Sequence, residues 1–158
     1  MKQSEKPDFF QKIRLKENLR FLDLIDALDV NQINEFGQNL LHEAIGSGNE
    51  IAALQLLEKG INANHQDSTG LTPLHYAISH DNLTLGKALL AKGARVDIAD
   101  LHGNQPLWTA VLNAGTGYGF VESLVEFGAD PKHKNKYGKS PLSIAEEMGV
   151  SELLSSLR

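Results

Sequence analysis

A chain of 158 residues, 41% hydrophobic and 22% charged, has the size and composition of one soluble globular domain that buries its own core. It contains no cysteine, which excludes a disulfide framework, a thiolate zinc site and a cysteine nucleophile together. The formal net charge of -5 argues against a generic nucleic-acid binder, whose backbone affinity comes from neutralising phosphates with Lys and Arg.

In chain order, Met1 to Asp8 reads as a mobile end and Phe9 to Leu28 as a helical N-terminal cap. The opening residues mix charge with polar groups and hold no continuous apolar run, so a secretory signal is not expected. No stretch has the length of a transmembrane helix, and the expected home is a reducing cytoplasm without membrane attachment. From Phe21 to Glu58 the acids Asp23, Asp26, Asp29, Glu35, Glu43, Glu50 and Glu58 follow one another with no Lys or Arg between them, a charge of -7 in one block. Such a block is either a solvated surface with acids at helix starts or a face that attracts a basic partner.

From Gly37 onward the chain repeats itself. "GQNLLHEAI" at Gly37 returns as "GLTPLHYAI" at Gly70, "GNQPLWTAV" at Gly103 and "GKSPLSIAE" at Gly138, in steps of 33, 33 and 35 residues. A second series keeps the same register, with "LLEKGI", "LLAKGA" and "LVEFGA" placing glycines at 60, 93 and 128. Pro73, Pro106 and Pro141 predict helix starts, with Thr72 and Ser140 as N-caps, and Ala44, Ala77, Ala110 and Ala145 predict close approach of a second helix. That second helix is expected to bury positions such as Ile51, Leu54 and Leu57 and to end at the glycines.

Helix, short loop, helix, glycine and projecting finger, renewed every 33 residues, resemble the ankyrin repeat, and "TGLTPLHYA" from Thr69 to Ala77 matches that family's signature almost letter for letter. The resemblance implies an all-α solenoid of stacked helix-turn-helix units. Its units divide as 1–33, an N-terminal segment and cap or degenerate repeat; 34–66 and 67–99, repeats; 100–134, a repeat with a two-residue insertion; and 135–158, a capping repeat whose polar "SELLSSLR" suits a face in water.

The insertion falls at "AGTGYGF", since Ala77 to Leu89 spans 12 residues and Ala110 to Leu124 spans 14. Three alternating glycines suggest a phosphate loop, but Phe120 stands where a third fingerprint glycine belongs, and the preceding segment aligns with helices rather than a strand. The expected role of Gly115 to Gly119 is an enlarged loop that carries Tyr118 outward as a contact or folds it back over the helix ends.

The six histidines do not pair on one helix face, no carboxylates cluster beside them, and no nucleophile has a base held by a third group, so neither metal, cofactor nor catalytic residues are expected. His42 and His75 occupy the family's motif position, for which the resemblance implies a hydrogen bond between repeats. Trp108 takes that position in the third unit, either as packing or as a binding anchor. The resemblance implies protein binding through the concave side and fingers. Carried over residue by residue, the contact positions are Glu35, Phe36, Gln38, Ser47 and Lys59; Ser68, Thr69, Leu71, Tyr76, Ser79, His80 and Lys92; Leu101, His102, Asn104, Leu112, Asn113 and Phe127; and Lys136, Tyr137 and Lys139. Phe36, Leu101 and Tyr137 are apolar groups on projecting loops, and "KHKNKYGK" from Lys132 is a basic finger, either a solvated turn or a clamp on an acidic patch. The first functional reading is an inhibitor or immunity-type partner covering a basic surface of a toxin, enzyme or regulator. An adaptor that recruits without blocking is the second, and a ligand sensor built on Gly115 to Gly119 the third.

Overall fold

Proline at a first helical position loses no hydrogen bond, because that N–H has no acceptor there. In the computed structural model, which describes residues 8–18, 23, 25–27 and 29–158, Pro73, Pro106 and Pro141 each open a helix. A first helix, α1 (Phe9–Arg14), and a 3₁₀ turn (Ile25–Ala27) precede four helix pairs. These are α2 (Leu40–Gly46) with α3 (Glu50–Glu58), α4 (Pro73–Ser79) with α5 (Leu83–Ala91), α6 (Pro106–Leu112) with α7 (Gly119–Glu126), and α8 (Pro141–Met148) with α9 (Ser151–Ser156). Helices α1, α2, α4, α6 and α8 stack in one layer, and α3, α5, α7 and α9 in a second. Among the described residues the β pairing is one isolated bridge, Ile33 with Asn39, so the fold is all-α.

Neighbouring units are close enough to share a core because Ala44, Ala77, Ala110 and Ala145 are buried where the layers meet. Around them Leu40, Leu41, Leu56, Leu74, Ile78, Leu89, Leu107, Leu124 and Leu153 lose their contact with water, the main stabilising contribution at ~25 cal/mol per Å² of apolar surface. Capping is local and repeated. The Asn49 and Asn82 side chains accept the amides of Ala52 and Leu85 and start α3 and α5, whereas α7 begins after Tyr118 with no side-chain cap.

The structure corrects two expectations. Asp8 is no part of a mobile end: its side chain accepts the Gln11 amide and caps α1. Met1 to Pro7 lie outside the described residues, as do 19–22, 24 and 28 of the expected Phe9 to Leu28 cap. Within the described part of that cap, α1 stops at Arg14, Lys16 takes a left-handed φ of 55° and a 3₁₀ turn follows at Ile25–Ala27. On α3, Ile51 and Leu54 are 55% and 44% exposed while Ala52, Ala53, Leu56 and Leu57 are buried. The packed stripe is therefore turned from the one expected, because the small alanines let α3 approach α2 and α5.

The inserted loop serves packing through Gly119, where an added Cβ would lie 2.6 Å from Leu83 Cδ2, and through Phe120. Ala114–Thr116 forms a 3₁₀ turn, Gly117 adopts φ 143°, and the chain enters α7 with Phe120 only 7% exposed. The Phe120 ring rests on Gly86 of α5, where an added Cβ would lie 2.3 Å from Cε1 and 2.9 Å from Cζ. Gly86→Ala is expected to cost about 1–3 kcal/mol by overpacking. Phe120→Leu should recover part of that loss in the double variant, and additive losses in urea unfolding would show that the two residues do not share the space.

Candidate functional site

Each finger is built by an Asn or Asp three residues before its glycine. Its Oδ1 accepts two backbone amides: Asn34 from Phe36 and Gln38 (2.9 and 3.1 Å), Asp67 from Thr69 and Leu71 (2.9 and 3.0 Å), Asp100 from His102 and Asn104 (2.8 and 2.9 Å), and Asn135 from Tyr137 and Lys139 (2.9 and 3.1 Å). These four residues were missed in the sequence, although the signal, Asn/Asp-x-x-Gly at Asn34, Asp67, Asp100 and Asn135, stands there openly. A backbone ladder then ties finger to finger. The Ser68 amide donates to the Phe36 carbonyl (3.0 Å), Leu101 to Thr69 (3.1 Å) and Lys136 to His102 (3.0 Å).

The ladder sets the tips in one row. Phe36, Leu101 and Tyr137 expose 58%, 57% and 71% of their surface, and Glu35, Ser68, Thr69, His102 and Lys136 are exposed beside them. Tyr137 is held by His102, whose Nδ1 lies 3.2 Å from the phenolic oxygen and whose ring stacks on it at 6.1 Å. Ser79, His80, Leu112 and Asn113 are exposed at the C-terminal ends of α4 and α6, close to the expected row. The outer-layer candidates Lys59, Lys92 and Phe127 are exposed after α3, α5 and α7, and Lys139 pairs with Glu147.

Other expected contacts are committed internally. Gln38 donates to the Tyr76 hydroxyl (2.6 Å), which donates to Asp67 Oδ2 (2.8 Å), so one chain of bonds joins two units. Burial and the Asp67 acceptor push the Tyr76 hydroxyl up to about 12. Burial works to raise the Asp67 carboxyl, but the hydroxyls of Thr69 and Tyr76 and two amides hold it below the ordinary range. Asn104 donates to Asp100 and accepts from Asn135; Leu71 is half-buried and Ser47 bonds the Glu43 carbonyl. Tyr118 is not carried outward: it is half-buried against the core, which is the folded-back alternative.

The buried His42 donates from Nε2 to the Leu71 carbonyl (3.0 Å) and accepts the Asn39 amide at Nδ1 (3.3 Å); His75 does the same with Asn104 (3.3 Å) and Thr72 (3.2 Å). Burial pushes His42 down to about 4 and lowers His75 as well. Trp108, half-buried in the equivalent place, makes no such bond to the next finger. His65 and His133 reach back to the carbonyls of Gly37 and Gly103, and His80 to that of Tyr76. No group of three or more metal-ligating side chains forms among the described residues.

Space restores some charge balance to the acidic block. Arg14 grips Glu43 with two bonds of 3.0 Å, Lys59 pairs with Asp26 and Lys92 with Glu58 (2.9 Å). Asp23, Asp29 and Glu35 are exposed without an ion pair among the described residues. Beside the inserted loop a cavity of about 260 Å³ is lined by Asp81, Leu83, Gly117, Gly119 and Phe120, and the Asp81 carboxylate is a poor neighbour for a phosphate.

Stacked helix pairs with a row of projecting, mutually bonded fingers define a repeat-built binding solenoid. A family model described as ankyrin repeats, in three copies, matches residues 11–100, so the chain belongs to the ankyrin-repeat family, whose arrays are protein–protein interaction modules. No curated protein matches the chain. The match ends at Asp100, but the same architecture continues through α6 to α9. No helix among the described residues is long and apolar enough to cross a membrane.

Proposed function

We propose that this protein is a non-enzymatic inhibitor or immunity-type partner that lays its finger row and concave side over a basic functional surface of another protein, a toxin, enzyme or regulator, in a reducing cytoplasm. The observation that carries the reading is the exposure of Phe36, Leu101 and Tyr137 on a backbone tied by the ladder: large apolar groups already fixed in place lose little freedom when covered. Asp23, Asp29 and Glu35, exposed and without an ion pair among the described residues, supply the attraction for cationic groups.

The test begins with capture of partners from native lysate at low and high salt and assay of the captured protein's activity. An inhibitor silences that activity; a partner bound with full activity replaces this reading by an adaptor. Changing Asp23, Asp29 and Glu35 together to Lys is expected to slow association about tenfold and to flatten its salt dependence. An unchanged rate at low salt would remove the basic surface from the proposal.

A further inference from the structure

The finger tips read as a sequence of pairs along the row: Glu35 and Phe36, Ser68 and Thr69, Leu101 and His102, Lys136 and Tyr137. One end is acidic and aromatic, the other basic and aromatic. Each step carries the same kind of amide-to-carbonyl bond, of 3.0, 3.1 or 3.0 Å, and in register the midpoint of the four tips falls between the second and third. A two-fold axis through that midpoint, perpendicular to the row, reverses its order while keeping each residue on its own side. It sets Glu35 opposite Lys136, Phe36 opposite Tyr137, Ser68 opposite Leu101 and Thr69 opposite His102. An isologous contact requires a patch that is complementary to its own reversal, and this row meets the requirement in charge and in apolar character.

We infer that the finger row is a self-association surface on which a second copy of this chain docks antiparallel, joined by two Glu35–Lys136 ion pairs and two Phe36–Tyr137 contacts around a dyad between Thr69 and His102. The participating groups are available: all of these side chains are exposed, and neither Glu35 nor Lys136 is in an ion pair among the described residues. Tyr137 is held in place by His102 within its own chain. Lys132 and Lys134 lie on the same last finger and strengthen the field at the basic end, as Asp29 does at the acidic end. The net charge of -5 on each copy opposes association, so the dimer is expected to be weak and reversible. Since it covers the tips assigned above to a partner, self-association and partner binding exclude each other.

Sedimentation of the purified full chain over a wide concentration range tests this without any partner, so its failure leaves the proposed function standing. The wild type is expected to pass from monomer to dimer with concentration. Glu35→Lys places lysine against lysine at both symmetric contacts and Lys136→Glu places glutamate against glutamate, so each variant alone is expected to dimerise about tenfold more weakly or not at all. A mixture of the two restores opposite charges at both contacts and is expected to recover the wild-type affinity as a heterodimer. Both positions are exposed and each variant's helical circular dichroism is expected to match the wild type. A wild type that stays monomeric to millimolar concentration, or variants that dimerise as the wild type does, would overturn the inference and leave the row to a different protein. A mixture no stronger than the separate variants would do the same.

Discussion

Gly70→Ala is expected to destabilise the fold by about 3 kcal/mol, whereas Gly93→Ala is expected to cost about 1 kcal/mol. Both glycines have left-handed φ, +83° and +89°, so both alanines meet the same backbone strain. They differ in surroundings. A Cβ on Gly70 would lie 2.9 Å from the Leu101 amide nitrogen and 3.0 Å from the Asp100 Cα, while nothing lies within 4 Å of one on Gly93. Backbone cannot swing away as a flexible side chain can. Relief would require moving the third finger off the second, which stretches the bond from the Leu101 amide to the Thr69 carbonyl. Urea unfolding of the two variants separates strain from finger packing. Equal losses would mean that the ladder contributes no measurable stability, and the argument for a fixed row of tips would fall with it.

Much of the fold was written locally. Pro73, Pro106 and Pro141 at helix starts, the alanines between layers and the period itself each depend on residues a turn or a loop apart, so their meaning survives without knowledge of the partner element. What escaped was decided by groups distant in sequence. The run from Asp23 to Glu58 looked bare because its cations, Arg14, Lys59 and Lys92, come from outside it. Ile51 and Leu54 match the helical period as well as the residues buried instead, and only the position of α2 and α5 decides between the two stripes. Tyr118 packs back against the core, and Phe120 seats against Gly86, a residue that nothing in the insertion itself announces.

The proposed binding face was legible to the same degree. Phe36, Leu101 and Tyr137 were named for standing on fingers, and they are exposed there. Gln38, Tyr76 and Asn104 occupy neighbouring positions by alignment, but their polar groups are used within the array. A partner gains little from atoms that must first break an internal bond. The family's contact positions therefore sort into free tips and bonded supports.

Acidification is expected to unfold the array well before its carboxylates are protonated. His42 is held neutral in the folded state chiefly by burial, which disfavours a charged ring; Nε2 donates to the Leu71 carbonyl, while Nδ1 lies 3.3 Å from the Asn39 amide and 2.7 Å from Asn39 Oδ1. Its folded value, about 4, lies below the ordinary 6.5, so the unfolded chain takes up the proton first as pH falls. Stability is therefore fully present above pH 6.5 and is lost as pH falls from there toward 4, by about 3 kcal/mol for His42 at 1.36 kcal/mol per unit. His75 is lowered for the same reason and adds in the same direction. Asp67 and Asp97, both held below the ordinary 3.8, are lost only at still lower pH and do not confuse this window. Urea unfolding between pH 7 and pH 5 should show stability falling with pH, with a slope that approaches one proton from His42 near pH 5 and a further part from His75. His42→Asn, though less stable throughout, should lower that slope by close to one proton. A flat profile, or a slope unchanged by the substitution, would mean that the bond between His42 and the following finger tolerates a charged ring.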